Sequence, residues 1–309
     1  MLAQIRTLRW WIWGLVCICN IQYGSAQELL VNVYGRQYTL LNGKWNAIID
    51  PYQQGRKTAI YRNRALKDKA DFKEYAFEGG LRLNVPSDWN SQIPELKYYE
   101  GTMWYARKFE INKKSDENLF LYFGAVNYRC RVYLNGTLIG SHEGGFTPFQ
   151  FNVTNVVKEG GNFLAVEVDN TRTADAIPAL SFDWWNYGGI TRDVMLVHTP
   201  KNYIRDYFIQ LDKYDSDRVH AEVQLSAQNA GQLVKIEIPE LKIANKVFTD
   251  GTGLAKATFR VRNLERWSPQ APKLYQVIVS SEVDEVKENI GFRNLYVKNT
   301  QIYLNDSPV

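Results

Sequence analysis

Between residues 126 and 134 the side chains alternate in character. Val126, Tyr128, Cys130, Val132 and Leu134 fall on one side of an extended chain, and Asn127, Arg129 and Arg131 on the other. Successive side chains of a strand point to opposite faces, so a period of two marks a half-buried strand. Asn135-Gly136 follows at once, and this pair is the strongest short hairpin signal because both residues accept positive φ. A returning strand is therefore expected from about Leu138. Residues 119–123 and 163–168 read as further strands, the second after the turn Glu159-Gly160-Gly161-Asn162. No stretch of this half sustains a 3.6-residue period over a dozen positions, which predicts an all-β fold.

The character changes near His198-Thr199-Pro200-Lys201, where the aromatic-rich half stops. Beyond it Val219, Ala221, Val223 and Leu225 alternate with His220, Glu222 and Gln224, and Ala257, Phe259 and Val261 alternate with Thr258 and Arg260. With residues 234–238 and 274–280 these give short strands between turns, the spacing of an immunoglobulin-like sandwich. A chain of 309 residues has room for two such units. Its 9 Trp and 19 Tyr favour strands and carbohydrate or interface surfaces.

Arg6 and Arg9 precede an apolar run, residues 10–19, and then Gly24-Ser25-Ala26. That order predicts an export signal over residues 1–26, too short to serve as a stable membrane anchor, and a periplasmic or extracellular mature chain. Its removal takes away two Arg and no acid, so the net charge falls from +4 to +2. Nothing strongly basic is left to attract nucleic acid. Cys17 and Cys19 leave with the leader, and Cys130 alone cannot build a disulfide framework.

The segment Phe182-Asp183-Trp184-Trp185-Asn186-Tyr187-Gly188-Gly189 sets a carboxylate, two indoles and an amide against a glycine turn. Aromatic faces grip the apolar side of a pyranose while a few fixed polar groups bind its hydroxyls, so this is the chemistry of a sugar site. The plainer reading is a buried Trp pair ahead of a Gly-Gly turn. The segment resembles the end of the N-terminal sugar-binding domain of glycoside hydrolase family 2, the family of β-glucuronidases and β-galactosidases. Four more blocks are similar to that family in the same order: Tyr99-Glu100-Gly101-Thr102-Met103-Trp104-Tyr105-Ala106-Arg107, the hairpin at Asn135-Gly136 through Gly144-Gly145-Phe146-Thr147-Pro148-Phe149, Trp267-Ser268-Pro269 to Leu274-Tyr275, and Gly291-Phe292-Arg293.

The resemblance implies a jelly-roll-like, galactose-binding-like β-sandwich over 27–200 and an immunoglobulin-like β-sandwich over 201–297. It also implies that 298–309 begin a catalytic (β/α)₈ barrel absent from this chain. A strand and turn at the C-terminus with no partner add to the expectation of a fragment. The family's retaining mechanism uses two carboxylates of that barrel, so no catalytic residue can be assigned here. What carries over is Asp183 as a substrate-binding residue that bonds sugar hydroxyls. Asn186 is a weaker candidate that holds the loop, and Trp184 and Trp185 are split between packing inward and facing the sugar. The wording of the motifs is closest to β-glucuronidases. A β-galactosidase of the same family, a free-standing carbohydrate-binding module without catalysis and a scaffold for homo-oligomer contacts are the alternatives.

Other tempting residues have plainer readings. Glu143 reads as a turn residue, Arg192 as paired within its domain, and Cys130 as a small core residue. His142, His198 and His220 lack zinc spacing, and Asp206, Asp212, Asp215 and Asp217 lack that of a calcium loop, so neither metal nor cofactor is expected. Asn135-Gly136-Thr137 and Asn152-Val153-Thr154 match glycosylation acceptors. Mass spectrometry of the exported protein should find Gln27 at or near the N-terminus, and retention of Arg6 and Arg9 would contradict the leader.

Overall fold

A computed structural model describes residues 29–64 and 76–309, and the export signal expected over 1–26 lies outside them. The architecture is all-β, as expected, and no (β/α)₈ barrel occurs among the described residues. Two antiparallel sheets face each other in the first half. One has four strands, in the order Tyr38–Leu40, Val194–Pro200, Glu117–Phe123 and Phe149–Asn152. The other has six: Leu81–Val85, Gly43–Ile49, Thr102–Ile111, Gly160–Asp169, Arg129–Leu134 and Thr137–Glu143. Between them lies a core that includes Trp45, Trp89, Met103, Phe123, Leu134, Phe149, Val166 and Leu196.

The alternation around residues 126–134 reads through into this core. Val126, Cys130, Val132 and Leu134 all join it, and burial pushes the Cys130 thiol up to about 12, as for an inert core residue. Asn135 and Gly136 turn with φ of 52° and 82°, the two positive values a type I′ turn requires. The returning strand then runs over Thr137–Glu143, so Glu143 ends a strand. Two residues depart from the pattern. Asn127, read as polar-facing, is buried, and Tyr133 turns to the opposite face, where it stacks on Tyr61 with ring centroids 4.3 Å apart.

That opposite face is itself covered. Ile48, Ile60, Phe77, Trp104 and Tyr133 form a second apolar layer outside the six-stranded sheet. The covering loop is held by buried Asp50, whose Oδ2 accepts from Gly55 N at 2.8 Å and Trp104 Nε1 at 3.0 Å.

Beyond Pro200 a three-stranded sheet, Ile204–Leu211, Arg218–Leu225 and Leu254–Arg260, packs on a four-stranded one. The latter runs Ile243–Phe248, Leu233–Ile238, Tyr275–Ser280 and Glu285–Ile290. Seven strands split three and four over an aliphatic core of Val219, Val223, Ile236 and Val277 make an immunoglobulin-like sandwich. Residues 295–308 add a separate three-stranded antiparallel sheet.

A short N-terminal segment joins the two cores. Leu30 and Val33 pack on Phe120, Tyr122, Met195 and Val197 on the outside of the four-stranded sheet. Arg36 then reaches the second core. Its guanidinium pairs with Asp284 at 2.9 Å and donates to Ile204 O at 2.7 Å and Val31 O at 3.1 Å, with side chains 3% and 9% exposed for Arg36 and Asp284. Asp284 Oδ2 also accepts from Ile204 N at 2.8 Å. Removing one partner of a buried pair strands the other charge, which typically costs about 3–5 kcal/mol. Calorimetry of Arg36→Met should therefore show a large fall in Tm. Adding Asp284→Asn, which keeps an acceptor for Ile204 N, should recover most of it.

Candidate functional site

The loop of residues 170–188 leaves the Gly160–Asp169 strand and returns to the short strand Gly189–Ile190. A segment without ladder bonds can enter a protein interior only if its backbone polar groups find other partners. Four asparagine side chains supply them. Asn170 opens the loop: its Oδ1 accepts from Gly101 N at 2.9 Å, and its Nδ2 donates to Asn186 O at 2.8 Å. Asn186 Nδ2 donates back to Asn170 O, closing a reciprocal clasp. Asn127 Nδ2 donates to Asn186 Oδ1 at 3.0 Å and to Tyr187 O at 2.5 Å. Asn90 Oδ1 accepts from Gly188 N at 2.9 Å, while its Nδ2 donates to Leu96 O at 2.9 Å.

Gly188 is fixed by contact. A Cβ there would lie 2.1 Å from Trp89 Cζ2, so the loop returns flush against a buried indole and no larger residue fits.

Asn186, expected among the residues that touch sugar, therefore faces the interior. It is 2% exposed and its amide is spent on the loop itself. The two indoles also part. Trp185 is half-buried, with Arg172 stacked over it at 5.8 Å and Tyr98 edge-on at 5.2 Å. Arg172 is in turn gripped by Glu100, at 2.7 Å and 3.2 Å. Trp184 points outward, 51% exposed, beside Phe182 with centroids 4.2 Å apart. Between them Asp183 is exposed, and among the described residues it has no hydrogen bond or ion pair. Ile177, Leu180 and Tyr187 extend the exposed apolar surface of the loop.

The arrangement is a carboxylate with its oxygens unspent, flanked by two aromatic rings, on a loop whose return is bonded on several sides. It can accept hydrogen bonds from hydroxyls while the rings cover an apolar face. Asn90, Asn127, Asn170, Tyr98 and Arg172 carry no motif of their own, since their partners lie up to 98 residues away. Arg192 donates to Phe146 O at 3.2 Å, a bond within the sandwich. The His and Asp residues considered for metals serve as local bonds. His198 meets Glu117 at 2.9 Å and His220 meets Asp212 at 2.6 Å, and no metal-binding cluster occurs among the described residues.

Residues 39–200 match the family model described as glycosyl hydrolases family 2, sugar binding domain, and residues 202–293 match that described as glycosyl hydrolases family 2. A β-glucuronidase of Rattus norvegicus is 25% identical over 98% of this chain and 52% of its own length. A β-galactosidase of Thermoanaerobacter pseudethanolicus is 29% identical over 81% of this chain and 36% of its own. The solved structure of an uncultured Clostridium sp. β-glucuronidase superposes with a TM-score of 0.75 at 29% identity, over 91% of this chain and 49% of that one. The chain thus spans about half or less of the length of these relatives.

Asn186→Ala leaves Asn170 O without a buried partner, which costs about 1–3 kcal/mol. At roughly 2–4 °C per kcal/mol for a unit of this size, calorimetry should show a fall of several degrees. Asp183→Ala, an exposed change, should stay within about 0.5 kcal/mol of the parent.

Proposed function

The chain belongs to glycoside hydrolase family 2, and on that premise we propose that it is the N-terminal, non-catalytic part of an exported retaining β-glycosidase of β-glucuronidase type. Asp183 carries the reading. The fold constrains the return of its loop with four asparagines and leaves this carboxylate exposed beside Trp184 and Phe182. An aspartate that held the fold would be bonded within it, whereas Asp183 has its acceptor capacity in reserve for a ligand. In this reading Asp183 accepts from hydroxyls of the sugar in the cleavage subsite, and Trp184 lines that subsite. Trp185 acts behind them, because its stacking with Arg172 and Tyr98 sets the direction of the loop tip.

Bond cleavage belongs to two carboxylates of a barrel outside this chain. One protonates the leaving oxygen and the other attacks the anomeric carbon, at a separation of about 5–5.5 Å. The substrate is a β-glycoside, and no cofactor enters the chemistry. A β-galactosidase is the second reading, favoured by the β-galactosidases among the relatives, because Asp183 recognises hydroxyls common to both sugars. The mature protein works outside the cytoplasm, with no stable membrane anchor and no nucleic-acid partner, and homo-oligomer contacts fit the same domains.

The test is enzymatic. In the protein joined to its barrel, Asp183→Ala should lower kcat/KM for an aryl β-glucuronide at least about tenfold, equivalent to 1.4 kcal/mol of transition-state binding. The 309-residue chain alone should show no turnover. Unchanged kcat/KM in the variant would make Asp183 a bystander, and turnover by the chain alone would place catalytic groups within it.

A further inference from the structure

The loop that carries Asp183 is fastened firmly at its root and sparsely at its tip. Among the described residues, none from 173 to 185 makes a hydrogen bond or ion pair outside that stretch. Ala176 N donates to Thr173 O at 3.3 Å, Phe182 N to Ala179 O at 3.2 Å and Thr173 Oγ1 to Asp175 at 2.7 Å, all within it. The asparagines act on residue 170 and on the return at 186–188. Ala176 is buried but has only a methyl group to pack. The ring contacts that tie the tip to the sandwich belong to Trp185, with Arg172 over its face at 5.8 Å and Tyr98 edge-on at 5.2 Å.

An arginine side chain is long and freely rotating, so its guanidinium stays over a ring only if something fixes its plane. Glu100 does this. Its two oxygens face Arg172 Nη2 at 2.7 Å and Nε at 3.2 Å, a two-point grip that a planar fork accepts and an ammonium does not. Both side chains are 22% exposed. Glu100 lies just ahead of the Thr102–Ile111 strand, and its neighbour Gly101 both donates to Asn170 Oδ1 at 2.9 Å and accepts from Asn170 N at 3.2 Å. The grip on Arg172 therefore springs from the point that already holds the loop root. From Glu100 the contacts run through Arg172 to Trp185, and Asp183 stands two residues from that indole.

We propose that Glu100 and Arg172 are positioning residues for Asp183: the ion pair sets the plane of the guanidinium, the guanidinium sets the tilt of the Trp185 indole, and the indole sets where the Asp183 carboxylate meets its substrate. The inference rests on the substrate-binding role proposed for Asp183 and adds to it two residues that act without touching substrate. Magnitudes separate this role from a structural one. A part-exposed ion pair and a single cation–π contact contribute little to stability. A misplacement of about 1 Å in a group that binds the transition state can lower the rate about a hundredfold. Loss of the pair is therefore felt in turnover before it is felt in melting. The charge of Arg172 is spent on Glu100, so its flat, forked shape matters and its charge alone does not.

Steady-state kinetics on the protein joined to its barrel test this, with the aryl β-glucuronide or β-galactoside that it turns over. Glu100→Gln, Arg172→Lys and Arg172→Met are each made with and without Asp183→Ala, and calorimetry follows the fold. The expected result is a fall in kcat/KM of at least about fivefold in each single variant, carried mainly by kcat. Tm should stay within about two degrees of the parent, as for a part-exposed pair. Added to Asp183→Ala, each change should cost less than about a further twofold, because the group being positioned is gone. Arg172→Lys should be no better than Arg172→Met, since lysine keeps the charge but neither the fork nor the flat face. Parent-level activity in Arg172→Lys, effects that multiply in full with that of Asp183→Ala, or a lowered Tm with kcat/KM unchanged would each overturn the proposal and leave the role of Asp183 standing. Parent-level activity in Asp183→Ala would overturn both.

Discussion

Four asparagine side chains, with the Trp89 indole behind Gly188, decide where the loop of residues 170–188 returns. Residues 170–188 leave the sheet without ladder partners, and their return passes through the buried end of the sandwich. Each backbone group buried there would be costly if unbonded. Asn170 and Asn186 meet this demand from the two ends of the loop itself, and Asn90 and Asn127 from elsewhere in the chain. An amide carries both donor and acceptor without charge, so it can bond N–H and C=O groups alike and adds no ionic desolvation cost. The loop tip can then be irregular and exposed because its root is not.

The general plan was legible in the sequence, for reasons that also mark its limits. A strand with one wet face keeps a period of two, and residues 218–225 show it cleanly. Thr102–Ile111 opens with five buried residues in succession, because both faces of its sheet are covered. Burial on both sides erases alternation, which is why Tyr133 and its aromatic layer were not foreseen. Asn127 looked solvent-facing because its partners, Asn186 and Tyr187, lie some sixty positions downstream. Of the site itself, Asp183 and the indole pair stood out as a local cluster. The choice between Trp184 and Trp185 did not, since it turns on Arg172, Glu100 and Tyr98, which only tertiary contact brings together.

One strand ties these levels together. Arg129–Leu134 sends Cys130, Val132 and Leu134 into the core, Arg129 and Arg131 to the opposite face, and Tyr133 into the aromatic layer. Arg129 also donates to Thr171 O at 2.9 Å, at the root of the loop of residues 170–188. The same six residues thus contribute to stability and to the placement of the loop.

The clasp made by residues 29–36 bears on where such a protein can be divided. The family match begins at residue 39, so a gene cut at that boundary would look complete. Yet it would discard Arg36, together with Leu30 and Val33 over the four-stranded sheet. The two sandwiches would keep the chain at Pro200-Lys201 and the contact of Phe120 with Tyr203, but Asp284 would lose its guanidinium partner at their seam. The border drawn by sequence similarity and the border drawn by packing differ here, and only the second retains the buried ion pair between residue 36 and the second sandwich.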